Sequence, residues 1–187
     1  MRLYAGLVHY PVYNKHHQTI ASAVTTVDLH DLARVIRTFD AERLFVITPL
    51  EDQQRMVARV QRHWTEGYGA RYNPHRKAAM ECIEVCESIE CAVKTIAERE
   101  GTVPLTVGTG AARMETKVLS FREARELIKS NALIFLLFGT AWGLGQSVMD
   151  RVDKMLEPIS GNSNYNHLSV RAAAAIILDR LAGRGVG

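Results

Sequence analysis

The chain has 187 residues, 47% of them hydrophobic and 23% charged, a balance that lets one domain bury a core and excludes disordered and fibrous classes. The net charge of +3 permits a polyanionic partner without requiring one. Three cysteines, Cys82, Cys86 and Cys91, form no CxxC pair and no ligand set, so they read as reduced thiols with no metal bound; no apolar run reaches the ~20 residues of a membrane span, and the amino terminus has no signal-peptide core. The expectation is a single soluble, cytoplasmic domain over 1–187.

Leu3 to His9 is a short apolar run closed by Pro11 and predicts a strand. Asn14 to Thr19 is polar and predicts a loop, with Lys15, His16 and His17 as its basic residues. Thr26 to Thr38 has helical apolar spacing from an expected Asp28 cap. Arg43 to Thr48 is a buried-type strand, and Glu51 to Thr65 a helix. Glycines, tyrosines and a proline break the pattern from Gly67 to Pro74. Arg76 to Arg99, which carries the cysteines, reads as a long helical stretch interrupted by a strand or turn near Ser88. Val103 to Val107 predicts a strand ending in a Gly-rich turn, Gly108 to Arg113. Ser120 to Asn131 predicts a helix with Ser120 and Glu123 as a capping box. Ala132 to Phe138, ALIFLLF, is a fully apolar strand entering the loop GTAWGLG, and a last amphipathic helix runs from His167 to Leu181. Alternating strands and helices predict an α/β fold, a mostly parallel sheet with helices on both faces.

A Gly-rich loop directly after the most apolar strand is a natural ligand site, because parallel sheets bind beyond the carboxyl ends of their strands. Gly139, Gly143 and Gly145 stand there. Their G-x-x-x-G-x-G spacing matches neither the dinucleotide fingerprint nor a phosphate loop. By itself the loop fits a ligand site and a plain turn equally well.

Three carboxyl-terminal segments together resemble the motifs of SPOUT-class methyltransferases. LFGTAWGLG is similar to the family's G-N-E-x-x-G-L loop, with Thr140 and Ala141 in place of Asn and Glu. MLEPISG is similar to a short strand ending I-P-M-x-G, and NHLSVRAAAAIILDRL to the S-L-N-V-S run that opens the last helix. DLHDLARVIRT resembles the SpoU-type N-x-x-N-x-G-A-x-x-R-T motif, with Asp28 and Asp31 on the asparagines, Arg34 on a small residue and Arg37 on the arginine. VGTGAAR is similar to the family's strand ending near the cofactor. The chain looks most like a group of stand-alone bacterial SPOUT proteins read as RNA methyltransferases.

That resemblance implies a deep carboxyl-terminal trefoil knot, S-adenosylmethionine as cofactor, tRNA or rRNA as partner and a homodimer built partly on the apolar final helix, Ala172 to Leu181. It marks Thr106, Gly108, Thr109, Leu137, Phe138, Gly139, Gly143, Ile159, Ser160, Asn166, Leu168 and Ser169 as cofactor-binding, and Arg37 and Asp31 as catalytic. A guanidinium at 37 clamps a phosphate or orients an acceptor; its plainer role is a surface charge. Asp28 and Asp31 suit a general base, although Asp28 also suits capping. Asn162, Asn164 and Asn166 offer amides to a base edge or cofactor, Tyr165 a stacking ring, and Trp142 a pocket wall. Two rivals stay open: a knotted module that binds RNA or cofactor without turnover, and a nucleotide-binding regulator with an open Rossmann-like sheet that prefers a phosphorylated ligand.

Overall fold

The computed structural model describes residues 1–112, 114–163 and 165–184, so Arg113 and Asn164, named above, lie outside the described residues. The first strand, β1 (Leu3–Val8), is buried along its whole length. The polar stretch expected as a loop is the turn of a small antiparallel hairpin, β2 (Val12–Tyr13) and β3 (Thr19–Ile20). Asn14 closes that turn, its Oδ1 accepting the backbone N–H of His16 at 2.8 Å and of Gln18 at 3.0 Å.

Helix α1 (Thr26–Thr38) buries Leu29, Leu32, Ala33 and Ile36. Its cap is Thr25, whose hydroxyl accepts from Asp28 N; the aspartate expected to cap lies three residues on, inside the first turn. After β4 (Leu44–Ile47) comes α2 (Glu51–Thr65), and the expected break at 67–74 contains one short helix, α3 (Tyr68–Tyr72). The helical stretch expected to be interrupted near Ser88 is three elements, α4 (Pro74–Met80), β5 (Ile83–Cys86) and α5 (Ile89–Glu100), the interruption being a strand just before Ser88, which caps the last helix. Cys82, Cys86 and Cys91 therefore belong to a loop, a strand and a helix rather than to one helical face.

The remaining elements are β6 (Leu105–Gly108), β7 (Val118–Leu119), α6 (Phe121–Lys129), β8 (Ile134–Gly139), α7 (Gln146–Arg151), β9 (Lys154–Leu156) and α8 (Val170–Ala182). The Ser120–Glu123 capping box forms as its sequence predicts, with both reciprocal bonds present. The final helix starts later than expected, at the Ser169 cap.

The sheet has the order β5-β4-β1-β8-β6-β9-β7, and each of its pairings is parallel. Alternate residues of its strands feed two separate cores, as both-face coverage requires. Leu3, Ala5, Leu7, Leu44, Val46, Ile134 and Leu136 meet α1, α6 and α8 on one face; Tyr4, Phe45, Ile47, Phe135 and Leu137 meet α5 on the other. The apolar side of α8, Ala174, Ile177, Leu178 and Leu181, is buried within the chain against that first core. Among the described residues no helix is long and apolar enough to cross a membrane, and no three His, Cys, Asp or Glu side chains gather as a metal site.

Phe135 fixes the central strand, fully buried and edge-to-face with Phe45 at 5.7 Å between centroids. Phe135→Ala is expected to lower stability by about 3–5 kcal/mol in urea unfolding, the range for a truncated core aromatic.

Candidate functional site

A cleft of ≈ 660 Å³ opens at the carboxyl ends of β6 and β8. Thr109, Gly110 and Ala111 after β6 form one wall, and Phe138 to Gly143 after β8 a second. Glu157 and Ile159 after β9, with 166–170 at the start of α8, form the third. Ser22, Ala23, Thr25 and Asp28, leading into α1, close the remaining side.

The loop after β8 reverses in very little space. A β-carbon on Gly139 would sit 2.4 Å from Leu144 N and 2.7 Å from Gly143 C, atoms of the backbone that cannot step aside. Gly143 has φ +98°, a left-handed conformation that favours glycine. The hairpin holds this loop from outside: Trp142 N donates to Tyr13 O and Tyr13 N donates to Gly143 O, both at 3.0 Å. Asn166 ties the first and third walls together, its Nδ2 donating to Ala111 O at 3.1 Å.

Eight of the expected cofactor residues line the cleft: Thr109, Phe138, Gly139, Gly143, Ile159, Asn166, Leu168 and Ser169. Four do not. Thr106 is bound to Asp153, whose Oδ2 accepts from its N at 2.8 Å and its hydroxyl at 2.7 Å. Gly108 packs on Met155, whose sulfur would lie 2.5 Å from an added β-carbon. Leu137 is buried in the core on the opposite face, and its carbonyl is taken by the N–H and hydroxyl of Thr109. Ser160 is exposed outside the cleft. Strand alternation explains the first three, because neighbours of a lining residue point away from it.

Arg37 and Asp31 do not line the cleft. Arg37 lies exposed in the last turn of α1, 4.0 Å from Asp40 Oδ1. It stands nine residues beyond Asp28, about 14 Å along the helix axis. Asp31 is paired with Arg34 and lies 3.5 Å from Arg171, in an adjoining groove between α1 and α8. Asp28 does line the cleft; its side chain is 15% exposed, accepts the Thr25 hydroxyl at 2.7 Å and lies 3.3 Å from Arg171 Nε. Trp142 lines the cleft at its mouth, as the wall expected of it, with most of its surface in solvent. Tyr165 is exposed beside His167, and the basic loop residues lie exposed at the hairpin tip.

Sequence reading missed Arg171, Ser22, Thr140 and His9. Arg171 joins both aspartates of α1 to the first turn of α8, a contact across roughly 140 residues that no local pattern announces. His9 is fully buried at the end of β1, and its Nδ1 lies 3.0 Å from Ser22 Oγ. Ser22 Oγ is 2.6 Å from Thr140 Oγ1, which itself donates to Val8 O at 2.9 Å. That last bond orders the chain: Ser22 donates to Thr140, and Nδ1–H donates to Ser22. Nδ1 then carries a proton, and Nε2 has no partner among the described residues. Burial pushes the His9 imidazole down to about 4, against the opposing pull of Asp28.

Among the described residues the lining carries two carboxylates, Asp28 and Glu157, and no Lys or Arg. With small residues around it and apolar Phe138, Ile159, Leu168 and Ile177 in its walls, the cleft suits an adenosyl group bearing a cation better than one bearing phosphates. Fold and site together define an α/β protein with a cleft beyond the carboxyl ends of its central parallel strands. Residues 2–183 match the family described as SAM-dependent RNA methyltransferases, and the chain belongs to that family. It is 40% identical over 181 residues to a tRNA (guanine-N(1)-)-methyltransferase of Oleidesulfovibrio alaskensis, covering 97% of this chain and 42% of that protein. The chain thus spans less than half the length of that relative. An uncharacterized protein of Aquifex aeolicus is 33% identical, over 97% of this chain and 89% of its own length. The SpoU methyltransferase AviRb from Streptomyces viridochromogenes, solved in complex with AdoMet, shares the fold with a TM-score of 0.56 at 16% identity, over 96% of this chain and 58% of that one.

His9 makes the site's packing sensitive to acid. The unfolded chain takes up its proton near the ordinary value of 6.5 and the folded chain only near 4, so stability is lost as pH falls through that window, by roughly 3 kcal/mol in full. His9→Gln is expected to remove that share of the difference between unfolding free energies at pH 7 and pH 4. Equal pH dependence in the two proteins would show that His9 is not buried neutral.

Proposed function

We propose that this chain binds S-adenosylmethionine in the cleft and transfers its methyl group to a nucleotide of tRNA or rRNA. The observation that carries the reading is the cleft itself: three main-chain bends with carboxylates and, among the described lining residues, no Lys or Arg. The absence of Lys and Arg from its described lining weighs against the phosphorylated-nucleotide regulator. The name of the Oleidesulfovibrio relative favours tRNA among the possible substrates.

Bound S-adenosylmethionine supplies an electrophilic methyl on a sulfonium. The residues present fit it: Phe138, Ile159, Leu168 and Ile177 offer apolar contact to the adenine, and the amides around Gly139 and Gly143 let the ligand approach the backbone. Asp28 faces the cleft, and we assign it to accept the proton that leaves an N–H or O–H acceptor as the carbon bond forms. Arg171 positions that carboxylate and is itself held by Asp31, which gives Asp31 a positioning role one step removed from the acceptor. Arg37, exposed and away from the cleft, is assigned to a phosphate of incoming RNA. A non-catalytic module would not need a carboxylate in this place.

The knot and the homodimer belong to the same reading. Asn166, just before α8, is bonded to the loop after β6, the loop that the chain would thread. Val35, Phe39 and Ala172 line a groove between α1 and α8 that a second copy would cover, whereas the more apolar side of α8 is occupied within the chain. With no membrane-crossing helix among the described residues, the proposed setting is the cytoplasm.

Asp28→Asn tests the assignment. Single-turnover methylation of RNA is expected to slow by about 100-fold or more, while S-adenosylmethionine affinity by calorimetry changes little. Unchanged turnover would remove Asp28 from the reaction. Nucleoside mass spectrometry of RNA from a strain lacking the protein identifies the missing methylated base.

A further inference from the structure

Residues 55–77 hold six Lys or Arg, namely Arg55, Arg59, Arg62, Arg71, Arg76 and Lys77, against one acidic residue, Glu66. This segment is therefore +5 in a chain that is +3 overall, and everything outside it is −2. The positive balance of the protein is concentrated on α2, α3 and α4.

Three of these cations are already engaged on that surface. Arg55 pairs with Glu51 and Asp52, Lys77 lies 3.8 Å from Glu81, and the Arg76 guanidinium lies 4.6 Å from the centroid of the Trp64 ring. Arg59, Arg62 and Arg71 are exposed and form no ion pair among the described residues. Arg55, Arg59 and Arg62 follow one another at four and three residues on a single helix face, above a groove that also contains His63 and Glu66. Beside it Tyr68 and Tyr72 stack on each other, centroids 5.8 Å apart and planes at 21°, with 70% and 74% of their surface in solvent. Two exposed parallel rings next to unpaired guanidinium groups match the two features of an unpaired nucleic-acid strand, its π-faces and its phosphates.

The placement is continuous with the cleft. Gln53 in the first turn of α2 accepts the N–H of Val24 at 2.7 Å, next to the cleft residues Ser22 and Ala23. From there α2 leads outward, with Arg59 about 9 Å and Arg62 about 14 Å further along the axis.

We propose that the outer face of α2 and α3 docks the substrate RNA beyond its acceptor nucleotide, Arg59, Arg62 and Arg71 meeting phosphates and the Tyr68–Tyr72 pair stacking on an unpaired base. The path from the cleft rests on the methyl-transfer reading; the docking surface itself is tested without it.

The test titrates fluorescent bulk tRNA, and separately a single-stranded RNA oligonucleotide, into the full chain at several KCl concentrations, with S-adenosylmethionine affinity measured in parallel. Arg59→Ala/Arg62→Ala/Arg71→Ala is expected to weaken RNA binding more than tenfold and to make the log affinity against log salt shallower by about 2, at ~0.7 for each phosphate no longer neutralised. Tyr68→Ala/Tyr72→Ala is expected to weaken binding about tenfold, most clearly for the oligonucleotide. A control with the same charge change elsewhere, Lys94→Ala/Lys129→Ala/Arg151→Ala, is expected to bind nearly as wild type. Patch variants that bind RNA like this control overturn the proposal. A wild-type chain that binds RNA through the patch but has no affinity for S-adenosylmethionine removes the methyl-transfer reading and leaves the docking surface standing.

Discussion

The cleft exists because the chain reverses at the end of β8 within contact distance of its own backbone. At Gly139 there is no room for a β-carbon beside Leu144 N, and at Gly143 the backbone is left-handed. Any other residue at 139 would push the loop outward over the strand ends. β8 lies between β1 and β6, so this one turn sets where the loops from both neighbouring connections converge. Parallel order then aligns the carboxyl ends, so that the loops after β6, β8 and β9 border one cleft. The hairpin of β2 and β3 completes the constraint by pairing its Tyr13 backbone with the loop on its outer side.

Charge organises the side opposite that turn. Arg171 sits between Asp28 and Asp31, so the start of α8 is held against α1 although most of the chain separates them. The partners are partly exposed, and the pairs contribute modestly to stability. Their consequence is orientation: they keep one carboxylate edge toward the cleft. The row of His9, Ser22 and Thr140 does the same for the hydroxyls lining the pocket, linking the end of β1 to the glycine loop through hydrogen bonds in a fixed order.

Much of this was legible in the residues. The runs around Leu3, Phe45 and Phe135 read as buried strands because parallel strands covered on both faces are continuously apolar. Ser120 and Glu123 announced a helix start by a local bond that needs no tertiary context. By contrast Ile83–Cys86 is four residues wedged between two helices, too short for alternation to stand out, so only an interruption by a strand or turn near Ser88 was legible there. At the site, the glycine loop and the start of the last helix were visible as motifs, so most of the lining residues follow from them. Thr106, Gly108 and Leu137 were placed in the site by the family resemblance, but the pleat turns their side chains to other tasks. Arg171 was invisible because its meaning lies in two aspartates on another helix.

The central claim is that this cleft holds the adenosyl group. A crystal structure of the full chain grown with S-adenosylmethionine, or with its demethylated product, tests it most directly. The account predicts the nucleoside among Thr109, Phe138, Gly139, Leu168 and Ile177, with its sulfur on the side of Asp28. Density for the ligand at any other place, with these loops unaltered, would contradict it.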